Sequence, residues 1–69
     1  MSELENNVKE NRILNKLTQQ ELADAVEVSR QTIISIEKGN YTPSVFLALK
    51  ISKFLKKNIE EIFYVTKNN

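Results

Sequence analysis

The sequence predicts an all-α domain, and three observations predict it. Gly and Pro occur once each in 69 residues. Apolar residues recur at the helical spacing of about 3.6 residues, and polar capping signals separate the apolar runs. Hydrophobic residues make up 41% of the chain, enough for one compact core. We therefore expect a single domain over residues 1–69, with its core over residues 8–63.

Composition excludes several classes of function. The chain has no Cys and no His, so it lacks the usual residues of disulfide frameworks, zinc sites and catalytic triads. We expect neither an enzyme nor a metal or cofactor. The polar, acidic N-terminus is unlike a signal peptide, and no apolar run could span a membrane, so we expect a protein of the reducing cytoplasm. The net charge is only +1, and it leaves nucleic-acid binding undecided.

The first two helices are predicted from apolar spacing and from one capping signal. The first is expected to run from Leu4 to Asn15 and to bury Leu4, Val8 and Ile13. The second is expected to begin at Thr18, because T-x-x-E at Thr18 and Glu21 is a capping box. Its inward-facing residues are expected to be Leu22, Ala23 and Val26.

Three more helices follow. Ser29 is expected to cap the third helix, which ends at Gly39 in a left-handed C-cap. Ser44 is expected to cap the fourth, over Val45 to Lys56. Its core residues would be Leu47, Ile51, Phe54 and Leu55, with Phe46 and Leu49 outside the core. Asn58 and Glu61 form a second pair that is similar to a capping box and opens a short fifth helix through Phe63. Tyr64 to Thr66 are strand-forming residues and predict a short extended arm, beyond which the polar end of the chain is expected to fray.

The segment LTQQELADAVEVSRQTIISIEKG places the second and third helices back to back across a turn of about three residues. This layout is typical of a helix-turn-helix, whose second helix is presented to the DNA major groove. On a helical projection, Ile33, Ile36 and Glu37 lie on the inner side of the third helix. The outer residues are Arg30, Gln31, Thr32, Ile34, Ser35 and Lys38.

These outer residues suit DNA, although any surface helix shows similar ones. Arg can bond bidentately to guanine and Gln to adenine. Ile34 fits either a contact with a thymine methyl group or the edge of the core. Gln19 and Gln20 begin the second helix, where free N–H groups favour phosphate. They fit a DNA contact, a brace for the third helix, or a solvated first turn.

The patterns T-Q-x-E-L-A, V-S-R-Q-T-I, I-E-K-G and Y-x-P-S together resemble the Xre-type helix-turn-helix of lambda-like phage repressors and Cro proteins. The chain looks most similar to small stand-alone bacterial repressors of the cytolysin-repressor kind. The similarity runs from about Val8 to Phe63. It implies a five-helix fold in which the second and third helices read DNA.

The resemblance also implies roles for individual residues. Those expected to face bases are Arg30, Gln31, Thr32, Ile34 and Ser35. Those expected to contact phosphates are Gln19, Lys38, Asn40, Tyr41 and Thr42, with Gln19 also bracing Gln31. Arg12 and Glu37 match a partly buried salt bridge of the family. The chain departs from the family pattern at Asn11 and Phe46, and at Glu27, which stands where Gly is usual in the turn.

The resemblance implies double-stranded DNA and a second copy of the chain as partners. The residues expected at the dimer interface are Leu55, Asn58, Ile59, Ile62 and Tyr64; the alternative is that they close the monomer core. Phe46 is expected near DNA or a partner. We expect a sequence-specific repressor that binds a palindromic operator. The alternative is an antitoxin-like module that holds a regulatory protein partner as well as DNA.

Overall fold

The computed structural model describes residues 2–67, and the side chains of residues 3–66. Its elements, in chain order, are β1 (Ser2–Asn6), α1 (Val8–Leu14), α2 (Gln19–Val26), α3 (Arg30–Glu37), α4 (Val45–Phe54), α5 (Ile59–Ile62) and β2 (Phe63–Lys67). The five predicted helices are confirmed. The prediction of an all-α fold is wrong in one respect, because β1 and β2 form a small antiparallel sheet.

The helices enclose one apolar core, to which every helix contributes. Its members are Val8, Leu22, Ala23, Val26, Ile33, Ile36, Leu47, Ile51, Leu55 and Ile62. Leu17, Val28 and Phe63 are partly buried and pack against it. None of the helices over residues 2–67 combines the length and the apolar character that crossing a membrane requires.

The sheet corrects the prediction for the N-terminus. Residues 2–6 form a strand rather than the start of the first helix, and Leu4 pairs with Val65 and is 44% exposed. The extended arm predicted over Tyr64 to Thr66 is confirmed as part of β2. Two paired strands can satisfy each other's backbone groups, which a lone arm cannot do. Residues 68 and 69, at the end expected to fray, lie outside the described residues.

The predicted starts of the second to fifth helices are confirmed. Thr18 Oγ1 accepts from the Glu21 N–H at 3.0 Å, and Glu21 Oε1 accepts from the Thr18 N–H at 2.8 Å. Ser44 Oγ accepts from the Leu47 N–H at 3.1 Å. At the fifth helix Glu61 Oε1 accepts from the Asn58 N–H at 3.0 Å, whereas the Glu61 N–H bonds to the backbone carbonyl of Asn58 at 2.9 Å, so half of the capping box forms. Each bond satisfies an N–H group that the first helical turn leaves without a partner.

The helices α1 to α4 end in the same way. Each is followed by a residue with positive φ; these residues are Lys16, Glu27, Gly39 and Lys56. In each case the next N–H bonds to the carbonyl five residues back, as from Val28 to Ala23 at 3.0 Å. This is the Schellman arrangement, which satisfies carbonyls at the helix end. It ends α4 at Phe54, two residues before the predicted end.

Besides Leu4, two side chains predicted for the core are exposed. The buried residues of α1 are Val8, Asn11 and Arg12, a spacing that leaves Ile13 off the inner face and 55% exposed. Phe54 is 43% exposed, because Leu55 takes the inward position at the end of α4. Phe46 and Leu49 lie outside the core as predicted, with exposures of 72% and 49%.

Glu27 gives a test of the turn between α2 and α3. Its φ is 64°, a left-handed conformation that is strained for a residue with a Cβ atom. We expect Glu27→Gly to raise the free energy of unfolding by about 1 kcal/mol, measured by urea denaturation. The matched Glu27→Gln keeps the strain and loses only an exposed ion pair with Lys50, so it should change stability by less than about 1 kcal/mol. A destabilised Glu27→Gly would show that the side chain of Glu27 matters more than its backbone strain.

Candidate nucleic-acid interface

The helix pair α2–α3 is fixed at both sides of its turn. Val26 is buried at the end of α2, and Val28 packs against the core from within the turn. Ser29 Oγ accepts from the Thr32 N–H at 3.2 Å and so starts α3. These contacts set the angle at which α3 leaves the body of the protein.

The two faces of α3 differ as the helical projection predicts. Ile33 and Ile36 are fully buried, and the side chain of Glu37 is only 4% exposed. On the other face Arg30, Gln31 and Lys38 are exposed. The remaining outer residues, namely Thr32, Ile34 and Ser35, are half-buried. The face therefore presents a guanidinium, an amide, an ammonium and two hydroxyl groups around one apolar side chain.

A buried ion pair holds the end of α3 against α1. Arg12 Nε donates to Glu37 Oε2 at 2.7 Å, and Arg12 Nη2 donates to Glu37 Oε1 at 3.3 Å. Arg12 Nη1 also donates to the carbonyl oxygen of Leu17 at 2.8 Å. The two side chains are only 11% and 4% exposed. The pair expected from the resemblance is therefore present, with bidentate geometry.

Gln19 extends this network toward the recognition face. Its Nε2 donates to Glu37 Oε1 at 3.1 Å, and its Oε1 accepts a long bond of 3.5 Å from Arg30 Nη2. Gln31 lies beside Ser35 instead, with 3.5 Å between Nε2 and Oγ. The expectation that Gln19 braces Gln31 is wrong: Gln19 braces Glu37, because that carboxylate reaches the start of α2 from the last turn of α3.

A shallow polar depression lies beside the start of α2. It is lined by Arg12, Thr18, Gln19, Gln20 and Arg30. The guanidinium of Arg30 and the N-terminus of a helix favour an anion, whereas the charge of Arg12 is already neutralised by Glu37. Sequence reasoning did not group Arg12 and Thr18 with this surface, although the capping box at Thr18 already located the end of the helix. Gln20 is engaged within α2, since its Nε2 donates to Asp24 at 2.9 Å.

The segment after α3 adds a second polar surface. Lys38, Asn40, Tyr41 and Thr42 are all exposed, and Tyr41 is 48% exposed. Gly39, with φ +80°, turns the chain between them. Within residues 2–67, no group of three or more His, Cys, Asp or Glu side chains is placed to hold a metal ion.

The residues expected at a dimer interface separate into two sets. Leu55 and Ile62 are 2% and 0% exposed and fill the monomer core, so their assignment to an interface is wrong. A domain of this size needs such side chains for its own core. Asn58 is exposed, whereas Ile59 and Tyr64 are half-buried, and the Tyr64 hydroxyl donates to Asn7 Oδ1 at 3.4 Å.

The structure also has a groove between α4 and α5 that the sequence did not predict. It is lined by Leu49, Ser52, Lys53, Lys57, Asn58, Ile59 and Glu60. Ser52 is 3% exposed, and its Oγ has no hydrogen-bond partner within the described part of the chain. A buried hydroxyl without a partner is unfavourable. Only the exposure of Leu49 was foreseeable from the sequence.

The geometry of α2 and α3 defines a helix-turn-helix unit, and comparison with known proteins agrees. The sequence profile of the family described as Helix-turn-helix matches residues 8–62. An uncharacterized HTH-type transcriptional regulator of Methanocaldococcus jannaschii is 55% identical over 60 residues, covering 87% of this chain and 91% of that protein. The uncharacterized HTH-type transcriptional regulator YgzD of Bacillus subtilis is 42% identical over 66 residues, covering 96% and 100% of the two chains. The chain belongs to this family: it is a transcriptional regulator with a helix-turn-helix DNA-binding domain.

Two solved structures have a similar fold. The restriction-modification controller protein C.AhdI from Aeromonas hydrophila aligns with a TM-score of 0.74 and 26% identity, over 78% of this chain and 82% of that chain. The transcriptional regulator VanUg aligns with a TM-score of 0.76 and 24% identity, over 97% and 89%. The second likeness concerns the fold alone.

The Arg12–Glu37 pair should dominate the stability of this region. We expect Arg12→Ala to lower the free energy of unfolding by about 3–5 kcal/mol, because Glu37 would be left buried without its partner. Urea denaturation measures the loss, which is a large part of the stability of a small domain. Lys9→Ala, at an exposed position of the same helix, is the matched control and should change stability by less than about 0.5 kcal/mol. Equal stabilities of the two variants would contradict a structural role for the pair.

Proposed function

We propose that the protein is a repressor that binds a palindromic operator as a homodimer, with α3 of each copy in the major groove. The observation that supports this most is the outer face of α3. Its polar side chains project from a helix that is capped, packed on the core and joined to α1 by a buried ion pair. A rigid helix of this kind can present the same side chains to successive base pairs.

Sequence would be read by the outer residues of α3. Arg30 can bond to guanine and Gln31 to adenine. The bonds that these side chains make in the free protein are long, at 3.5 Å, so little is lost when they turn to base edges. Thr32 and Ser35 supply hydroxyl groups, and the half-buried Ile34 fits a thymine methyl group.

Affinity would come from contacts with the phosphates on either side of the groove. On one side Gln19 borders the polar depression at the start of α2, where helix N–H groups suit a phosphate. On the other side the exposed loop carries Lys38, Asn40, Tyr41 and Thr42. These contacts position the protein without reading sequence.

The groove between α4 and α5 is the best candidate for the dimer interface. It combines the exposed Leu49 with the half-buried Ile59, and Asn58 is at its edge. A polar group from a second copy could satisfy the Ser52 hydroxyl. Tyr64 stays a candidate at the start of the C-terminal strand. A two-fold dimer would present two copies of α3 to successive major grooves, about 34 Å apart.

Gln31→Ala tests base reading. We expect it to weaken binding to the operator by about 1–3 kcal/mol, because a bidentate contact is lost, while binding to random DNA stays nearly unchanged. Fluorescence anisotropy with operator and random duplexes measures both affinities at one salt concentration. An equal loss on the two duplexes would count against base contact by Gln31.

Lys38→Ala should have the opposite pattern. We expect it to weaken binding to both duplexes similarly and to reduce the slope of log K against log salt by about one unit, because one phosphate contact is lost. The same titration, repeated over a range of salt concentrations, gives the slope. An unchanged slope would remove Lys38 from the phosphate contacts.

Leu49→Asp tests the interface. We expect it to convert the dimer to monomer, since it removes the exposed apolar side chain of the groove and puts in its place a charged group that the interface would strip of water, as measured by light scattering after size-exclusion chromatography. Val65→Asp, at a position that is 66% exposed on β2, is the matched control and should stay dimeric. A dimer that survives Leu49→Asp, or that Val65→Asp disrupts equally, would place the interface elsewhere.

Footprinting tests the whole proposal. The protein is bound to the DNA upstream of its own gene at physiological salt, with random DNA as competitor. We expect two symmetric protected patches about one helical turn apart. Protection of a single patch would contradict the dimer, and protection no stronger than that of the competitor would contradict sequence-specific binding.

A further inference from the structure

The outer face of α4 lies on a different helix from the DNA-reading α3, and it adjoins the groove between α4 and α5, with which it shares Lys53. It carries Phe46, Lys50, Lys53 and Phe54, which lie within an arc of about 100° on the helix; we refer to these four residues as the aromatic–basic face. Phe46 is 72% exposed and Phe54 is 43% exposed. The core of the monomer uses the opposite side of α4, through Leu47, Ala48 and Ile51.

Two exposed phenylalanines on one short helix are unusual. Each carries a large apolar area that water disfavours. They stand eight residues apart, or about 12 Å along the axis. Clustered apolar side chains with a polar rim mark protein interaction sites, whereas single exposed ones need no explanation. Aromatic anchors also supply much of the energy of such interfaces.

The segment that carries these aromatics has side-chain charges of one sign. Residues 38–59 contain five lysines and no Asp or Glu. By contrast, residues 2–37 contain seven acidic and four basic residues. Lys50 and Lys53 lie between the two phenylalanines, so the face suits an occupant that is apolar and acidic together.

The protein's own Glu27 shows how a carboxylate is held at this face. Glu27 Oε1 lies 3.2 Å from Lys50 Nζ, although the Glu27 side chain is 81% exposed. The same Nζ stands 5.0 Å from the ring centroid of Phe46, within the range of a cation–π interaction. Lysine, aromatic ring and carboxylate thus already form one contact at the edge of the face.

We propose that the aromatic–basic face binds an acidic amphipathic helix of another protein. The apolar side of that helix would cover Phe46 and Phe54, and its Asp and Glu side chains would pair with Lys50 and Lys53. A partner helix with apolar residues at positions i, i+4 and i+7 spans the two turns between the phenylalanines.

Two other occupants fit less well. A second copy that docks this face on itself would bring two lysines from each copy into one isologous contact, where like charges oppose binding. Duplex DNA supplies negative charge, but its phosphate backbone offers no apolar surface against which the two phenylalanine rings could pack. Binding of such a helix requires no DNA, so it can be tested on the protein alone.

The test uses two synthetic peptides of about 15 residues, long enough for four helical turns. Both have Leu at the same helical spacing; one has Glu at its other positions and the other has Lys there. Each is titrated into the full-length ¹⁵N-labelled protein and followed by amide chemical shifts. We expect the Glu peptide to shift resonances of α4 around the aromatic–basic face, and the Lys peptide to shift none.

Variants of the protein then locate the contact. Phe46→Ser should weaken the Glu peptide about tenfold or more, as expected for a central aromatic anchor. Both Phe46→Ser and the control Val65→Ser replace exposed residues, so both should keep the fold, and Val65→Ser should bind like the parent. Equal binding of the two peptides, shifts centred on α3, or unchanged affinity of Phe46→Ser would overturn the proposal. A Glu peptide that does not bind would also overturn the proposal if the parent protein instead self-associates, or binds phosphatidylglycerol vesicles, and Phe46→Ser abolishes that binding.

Discussion

The Arg12–Glu37 ion pair is the constraint on which the DNA-reading surface depends. Its two charges are almost fully removed from water, and separating them would leave each without compensation. The Glu37 carboxylate, in the last turn of α3, accepts a hydrogen bond from Arg12 of α1. The same carboxylate accepts another from Gln19 at the start of α2. The position of α3 relative to α1 and α2 is therefore set by polar geometry as well as by packing.

A second set of hydrogen bonds joins residues near the two ends of the chain to α1 and α3. Asn6 Nδ2 donates to the Ile36 carbonyl at 2.9 Å, and Asn6 Oδ1 accepts from the Val8 N–H at 3.1 Å. The Asn7 N–H donates to the Ile62 carbonyl at 2.8 Å. Through these bonds the small sheet connects α1, α3 and α5. The recognition helix is thus held at its start by a cap and at its end by two independent polar links.

Local chemistry made the starts of α2, α3 and α4 and the faces of α3 predictable. Each of these three starts has a capping residue whose side chain accepts from an N–H group that has no helical partner; these residues are Thr18, Ser29 and Ser44. The angular position of Glu37 followed from the helical spacing of α3. Its pairing with Arg12, which lies 25 residues earlier, came only from the family resemblance, because local patterns do not report contacts between distant segments.

What sequence reasoning missed depends on distant contacts or on strained backbone. The strand β1 contains Glu and Asn, which are poor strand formers, and it exists because β2 pairs with it. Lys16 and Lys56 follow the ends of helices in a left-handed conformation. A lysine in the sequence does not predict this conformation, whereas a glycine does. Leu55 and Ile62 were placed in a dimer interface because their apolar character cannot distinguish a core from an interface.

A double-mutant cycle on the ion pair tests the central claim most directly. The free energy of unfolding is measured for the parent, Arg12→Met, Glu37→Met and the double variant. Each single change leaves one buried charge, whereas the double change leaves none. We expect the double variant to lose at least about 1 kcal/mol less than the sum of the single losses. Losses that add without such coupling would contradict the claim that this pair fixes the recognition helix.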